Sequence, residues 1–164
     1  MSRQIKNIIA ITFFLICIGL INVAGQNIEI EIRGMNAFTF ILIIAVLLQV
    51  IFFIPSFLLK TEKYYDLVGS LTYISTMSLA YFSVENKTMI DSIIYFYVMV
   101  WASRLGIYLF RRVRNDGKDI RFEKAKRHFF WFLQYWMGQA LWVSLTACAA
   151  IIAILSPEDN TLPV

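Results

Sequence analysis

Phe129-Phe-Trp-Phe-Leu-Gln-Tyr-Trp-Met-Gly-Gln-Ala-Leu-Trp-Val-Ser-Leu-Thr-Ala-Cys-Ala-Ala-Ile-Ile-Ala-Ile-Leu-Ser-Pro157 runs for 29 residues without one Asp, Glu, Lys or Arg. A helix needs about 20 mostly apolar residues to cross roughly 30 Å of hydrocarbon, so this run is long enough to span a bilayer. Three more uncharged runs, 7–28, 34–59 and 67–84, have comparable length. A fifth lies between Asp91 and Arg111 and is interrupted only by Arg104, whose long side chain can snorkel toward headgroups. None of the five alternates strictly between apolar and polar residues, and all exceed the length of a membrane β-barrel strand. The sequence therefore predicts an all-α integral membrane protein of about five transmembrane helices, one membrane domain over residues 1–164.

Composition agrees. Of the 164 residues 59% are hydrophobic and 16% charged, and the mean hydropathy is +0.67. Soluble domains carry about 45–50% apolar and about 25% charged residues, so a soluble globule and a disordered chain are both excluded. Cys17 and Cys148 lie in apolar runs, there is no CxxC pair and His128 is the single histidine, so no disulfide framework and no metal site is expected.

Charge placement predicts orientation. Residues 111–127 hold eight basic residues and three acids, a net +5 out of the chain's +4, which leaves −1 elsewhere. Basic connections stay on the cytoplasmic side, so this connection and the Arg3/Lys6 end are expected inside, and the C-terminus outside. Glu29, Glu31, Glu85, Asp91 and the tail acids then all fall outside. The first segment, with Arg3 and Lys6 before an apolar stretch and Val23-Ala24-Gly25, also has parts of a signal peptide, although its apolar run exceeds a usual signal core. No nucleic-acid partner is implied; the expected partner is the bilayer.

Polar groups inside spans are costly, which makes each a candidate for packing or function. In the last span His128, Tyr135, Gln139, Trp142 and Thr146 fall within about 40° of one direction at 100° per residue. The stripe reads either as interhelical hydrogen bonding or as a cavity lining, with Tyr135, Gln139 and Trp142 as substrate-cavity candidates. Arg104, Arg111 and Arg114 are spaced to share a helix face if the fourth helix continues past the interface, and a guanidinium fork matches phosphate oxygens. The other reading is anchoring to anionic lipid. Asn115-Asp116-Gly117 is expected to break that helix, and Asp116 and Asp119 suggest an ion-paired loop rather than a pure basic anchor. Pro55 near the end of the second helix is expected to kink it, and Asp66 to cap the third.

Taken together, the run Phe53-Ile-Pro-Ser-Phe-Leu-Leu-Lys-Thr-Glu-Lys-Tyr-Tyr-Asp-Leu-Val-Gly-Ser-Leu-Thr-Tyr73, then Trp101-Ala-Ser-Arg-Leu-Gly-Ile-Tyr-Leu-Phe-Arg-Arg112, Asp116-Gly-Lys-Asp-Ile-Arg-Phe122 and Phe130-Trp-Phe-Leu-Gln134, resembles the steroid 5-alpha reductase-like family of integral membrane proteins, in its broad and largely uncharacterised branch. The resemblance covers about residues 35–150. It implies an enzyme of the bacterial inner membrane or endoplasmic reticulum. Such an enzyme uses NADPH to saturate a carbon–carbon double bond in a lipid or sterol-like substrate. Arg104, Arg111, Arg112, Arg114, Asp119 and Arg121 would hold the dinucleotide from the cytoplasmic side. Characterised steroid reductases of the family carry a Gln-Glu pair before a Leu-Pro-Ser-Phe-like motif; here Phe52-Phe53 precede Ile54-Pro55-Ser56-Phe57, so no catalytic residue is carried over. The family's C-terminal Arg-His-Pro-Asn-Tyr-like cofactor motif is also missing. The chain is accordingly expected to correspond to the N-terminal half of a reductase, inactive in hydride transfer alone, with a second chain as one source of the other half. The competing expectation is a small non-enzymatic membrane subunit or lipid-binding protein with a basic cytoplasmic loop.

Overall fold

The computed structural model describes residues 2–116 and 119–156 and shows five long helices with one small hairpin. Helix α1 spans Arg3–Val23, α2 Ala37–Leu58, α3 Tyr65–Ser83, α4 Met89–Asp116 and α5 Phe129–Leu155; β1 (Glu31–Ile32) and β2 (Met35–Asn36) lie between α1 and α2. Two single 3-10 turns, Ile120–Phe122 and Ala125–Arg127, link α4 to α5. The chain is an all-α integral membrane fold consistent with about five spans. Four of the helices, α1, α2, α4 and α5, are long and apolar enough to cross a membrane on composition alone.

Helix α3 is the less apolar fifth, and its position explains how it tolerates polar residues. It packs between α2, α4 and α5, and Thr72, Thr76 and Ser70 are buried with their hydroxyls satisfied. Thr72 Oγ1 donates to the Val68 carbonyl at 2.7 Å and accepts from the Gln49 amide of α2 at 2.9 Å, and Thr76 Oγ1 donates to the Thr72 carbonyl at 2.8 Å. In hydrocarbon such bonds hold helices together, because apolar burial alone drives little association there.

The hairpin refines the expected spans. The first helix stops at Val23, short of residue 28, and the second begins at Ala37 rather than 34. Glu31 pairs with Asn36 and Ile32 with Met35 around an Arg33-Gly34 turn with φ of 55° and 75°. Two consecutive positive φ angles are those of the tight turn that matches strand twist, and Gly34 takes its share without strain. Asn36 then caps α2, its Oδ1 accepting from Thr39 N at 3.0 Å while its amide donates to the Gly25 and Ile28 carbonyls. The third helix departs from expectation at its start: Tyr64 occupies the cap position without a side-chain bond, and Asp66 instead faces α4 as an ion-pair partner.

Helix α5 is central, with α1, α2 and α3 around it, and α4 lies on α3. Ala102 and Gly106 of α4 let the two backbones approach, and Ser70 Oγ donates to the Ala102 carbonyl. The apolar interior has two parts. Phe38, Ile41, Tyr73, Met77, Val143 and Ile151 are in the larger, and an aromatic cluster of Phe53, Phe122, Phe132 and Trp136 makes the smaller, close to the basic connection. Pro55 sits inside α2 near its end.

The two ends of the bundle differ in their charge. Glu29, Glu31, Glu85 and Asp91 line one hollow of about 480 Å³ with the end of α5. At the other end Arg3 lies 4.8 Å over the Trp131 ring, which places the N-terminal helix start beside the basic connection, as expected for two segments on one side of a bilayer.

Candidate functional site

Three side chains singled out on α5, Tyr135, Gln139 and Trp142, do line one hollow of about 460 Å³. Phe14 of α1 and Tyr65 of α3 supply its flanks, and Trp131, Gln134 and Gly138 complete the α5 wall. This volume lies in the range of about 300–1,000 Å³ typical of small-molecule sites, and its walls are mostly aromatic with a few polar groups, the usual make-up of such sites. The other members of the stripe do not join it. His128 stacks on Trp131 at 6.0 Å, and Thr146 hydrogen-bonds the Tyr73 hydroxyl.

Two details fix the geometry of the polar wall. The Tyr65 hydroxyl donates to the Tyr135 carbonyl at 3.0 Å, tying α3 to α5 at the hollow's inner edge. The Gln139 amide lies against Gly69: a Cβ there would fall 2.4 Å from Gln139 Nε2. Gln139 Oε1 is buried without a hydrogen-bond partner among the described residues. Gly69 was not singled out in the sequence, and no local signal marks it, since only the approach of α5 gives its missing side chain a consequence. Gly69→Ala is expected to push the amide of Gln139, the far end of a flexible side chain, out of its seat while leaving the bundle folded. An unchanged melting temperature together with a changed quenching of the Trp131 and Trp142 fluorescence would show it; unchanged fluorescence would count against this geometry.

Below the hollow lies an ionic cluster. The Tyr65 ring is 4.7 Å from Phe122, which is 4.9 Å from Tyr135, and the Arg121 guanidinium lies 5.2 Å over Phe122. Arg121 clamps Asp119 through Nε at 3.0 and 2.9 Å, and approaches Asp66 at 3.8 Å. Arg112 reaches Asp66 at 3.4 Å and Asp119 at 3.9 Å. Glu62, 4% exposed, receives Lys126 Nζ at 2.7 Å and the Asp119 backbone N–H at 3.2 Å. The hydrogen bonds from Arg121 hold the Asp119 carboxyl below the ordinary carboxylate range. Its contribution to holding the loop is therefore present above that ordinary range and is lost only as pH falls through the depressed value. The loop is ion-paired, and Asp119 is one of the acids that make it so; the structure of residues 117–118 and the Asp116 side chain lie outside the described part.

The six residues singled out for phosphate binding do not form one patch. Arg112, Asp119 and Arg121 belong to the ionic cluster. Arg114 lies in a separate hollow of about 330 Å³ with Lys63 and the stacked rings of Tyr64 and Phe110. Arg104 and Arg111 line a third groove, formed among the described residues by α4 alone, with Arg112 at its rim. Arg104 and Arg111 thus share a face, whereas Arg114, 10 residues after Arg104, is turned away from it. Phe53, where the Gln-Glu pair is replaced, is 2% exposed and packs edge-on against Phe129 at 5.2 Å, as part of the aromatic cluster. Among the described residues no group of three His, Cys, Asp or Glu side chains is placed to hold a metal ion.

No curated protein and no solved structure matches the chain. The family model described as "Protein of unknown function (DUF1295)" matches residues 52–164, from the end of α2 through the ionic cluster and the whole α5 wall of the hollow. That match covers more than half of the chain, and the chain belongs to this family.

Proposed function

We propose that this chain is the lipid-binding membrane portion of an NAD(P)H-dependent reductase acting on a carbon–carbon double bond of a lipid or sterol-like substrate, oriented with its basic end in the cytoplasm, in a bacterial inner membrane or the endoplasmic reticulum. The observation that carries this reading is the single hollow that joins Tyr135, Gln139 and Trp142 to Tyr65 directly above the Arg112–Asp119–Arg121 cluster. The resemblance to steroid 5-alpha reductase-like proteins and the family match support it.

The residues at the inner surface suit a dinucleotide in charge and type. Arg114 and Lys63 are two cations beside a stacked aromatic pair, with no carboxylate among the described residues lining their hollow, and a guanidinium fork with an ammonium fits phosphate oxygens. Arg112 and Arg121 already carry carboxylates, so in this reading they and Asp119 shape the surface on which the ligand rests. Reduced nicotinamide dinucleotide supplies the hydride when bound. The chain's own contribution is binding and polarisation: Trp131, Trp142 and Phe14 offer an apolar surface to the ligand's frame, and the Tyr135 phenol donates a hydrogen bond to a substrate oxygen as charge develops there. A second chain is proposed to enclose the nicotinamide.

Binding is the readout, because the Gln-Glu pair is replaced by Phe52-Phe53. The full chain in lipid nanodiscs is expected to enhance NADPH fluorescence, with Arg114→Ala weakening binding about tenfold, the loss of one charge-assisted contact of roughly 1.5 kcal/mol. Trp142→Ala is expected to weaken binding of an enone lipid while leaving NADPH bound. Absence of NADPH binding by the unaltered chain would reject the reductase reading. It would favour the second one, a non-enzymatic membrane subunit, for which the self-neutralised pairing of Arg112 and Arg121 is the supporting observation.

A further inference from the structure

Helix α4 meets α3 through Ala102 and Gly106, and Arg104, between them in sequence, leaves the helix on the opposite side. Arg111 follows it two turns later, about 10 Å along the axis. Both side chains line a groove of about 960 Å³ whose walls, among the described residues, all belong to α4, so no other described helix closes it and it opens on the outside of the bundle. Among the described residues neither has an ion-pair partner.

The groove is graded along its length. Phe96, Met99 and Val100 make its outer part apolar; Arg104, Tyr108 and Arg111 make its inner part cationic and hydrogen-bonding. A cation facing hydrocarbon is costly, and snorkelling or an anionic partner relieves the cost. A dinucleotide would have to lay polar rings and riboses against Met99 and Val100, surfaces that suit an acyl chain. The apolar-to-cationic order is that of a phospholipid, chain toward the membrane centre and phosphate toward the inner surface.

We propose that the outer groove of α4 binds one anionic phospholipid, its phosphate held by Arg104 and Arg111 and an acyl chain laid along Met99, Val100 and Phe96. This ligand is distinct from the dinucleotide assigned to the inner surface and from the substrate assigned to the α5 hollow.

The test uses the full chain, reconstituted in phosphatidylcholine vesicles containing a minor fraction of phosphatidylglycerol and released into native mass spectrometry. One phosphatidylglycerol is expected to remain on each chain in preference to phosphatidylcholine. Arg104→Gln and Arg111→Gln, both at exposed positions, are each expected to lower that retention about fivefold, the effect of one surface cation on an anionic lipid. Val100→Trp keeps both cations but fills the chain's path, and retention is expected to fall likewise. Excess NADPH or inorganic phosphate is expected to leave the lipid in place. Equal retention of the two lipids, unchanged retention in any of the three variants, or displacement by NADPH or inorganic phosphate would overturn the proposal.

Discussion

Lys126→Met is expected to destabilise the protein by about 3–5 kcal/mol, the usual cost of stripping the partner from a buried charge. Glu62 is 4% exposed, and its carboxylate is held by two contacts, the Lys126 ammonium at 2.7 Å and the Asp119 backbone N–H at 3.2 Å. Methionine keeps the length and apolar stem of lysine but removes the charge, so the carboxylate is left desolvated with one hydrogen bond. The consequence is larger than for a surface pair, which contributes about 0–1 kcal/mol, because the Glu62 carboxylate itself is almost closed to water. Thermal unfolding in detergent measures the loss. Adding Glu62→Gln to Lys126→Met removes the stranded charge and should recover most of it; no recovery would mean that Lys126 stabilises the loop by some route other than Glu62.

Gly106→Ala is expected to cost about 1–3 kcal/mol through overpacking at the α3–α4 contact. The added Cβ would fall 2.4 Å from Ser70 Oγ and 2.7 Å from Ser70 Cβ, and a serine side chain is too short to withdraw as the Gln139 amide can from Gly69. The helices must separate, which also breaks the hydrogen bond from Ser70 to the Ala102 carbonyl. Such a bond between membrane helices contributes about 0.6 kcal/mol on average, a minor share of the total. The compensating pair Gly106→Ala with Ser70→Gly removes both clashing atoms and should restore the melting temperature toward that of the unaltered chain; a pair no more stable than Gly106→Ala alone would contradict the contact.

The sequence by itself determined what depends on composition and on spacing along one helix. Uncharged runs set the number of helices, because hydrocarbon admits only backbone that satisfies its own hydrogen bonds. The excess of charge was legible as well: Glu29, Glu85 and Asp91 gather at one end, and Arg3, Arg112 and Lys126 lie at the other, where Glu62, Asp66 and Asp119 pair with part of the basic charge. The stripe on α5 was legible in part: Tyr135, Gln139 and Trp142 share a wall because their spacing of three and four residues is the helix's own period.

What only the tertiary structure decided involves partners from distant elements. The spacing of Arg104, Arg111 and Arg114 does not reveal that the first two share the outer groove of α4 and the third lies beside Lys63, because that depends on which side of α4 meets α3. Asp66 reads as a helix cap until Arg112, 46 residues away, is folded against it. Glu62 is one acid among neighbouring lysines in the sequence, and its burial follows from the loop that brings Lys126 over it. Gly69 carries no signal at all until α5 places Gln139 on it. Local chemistry and helical period are written along the chain, whereas burial and the choice of ionic partner are pairwise quantities that exist only once the helices have packed.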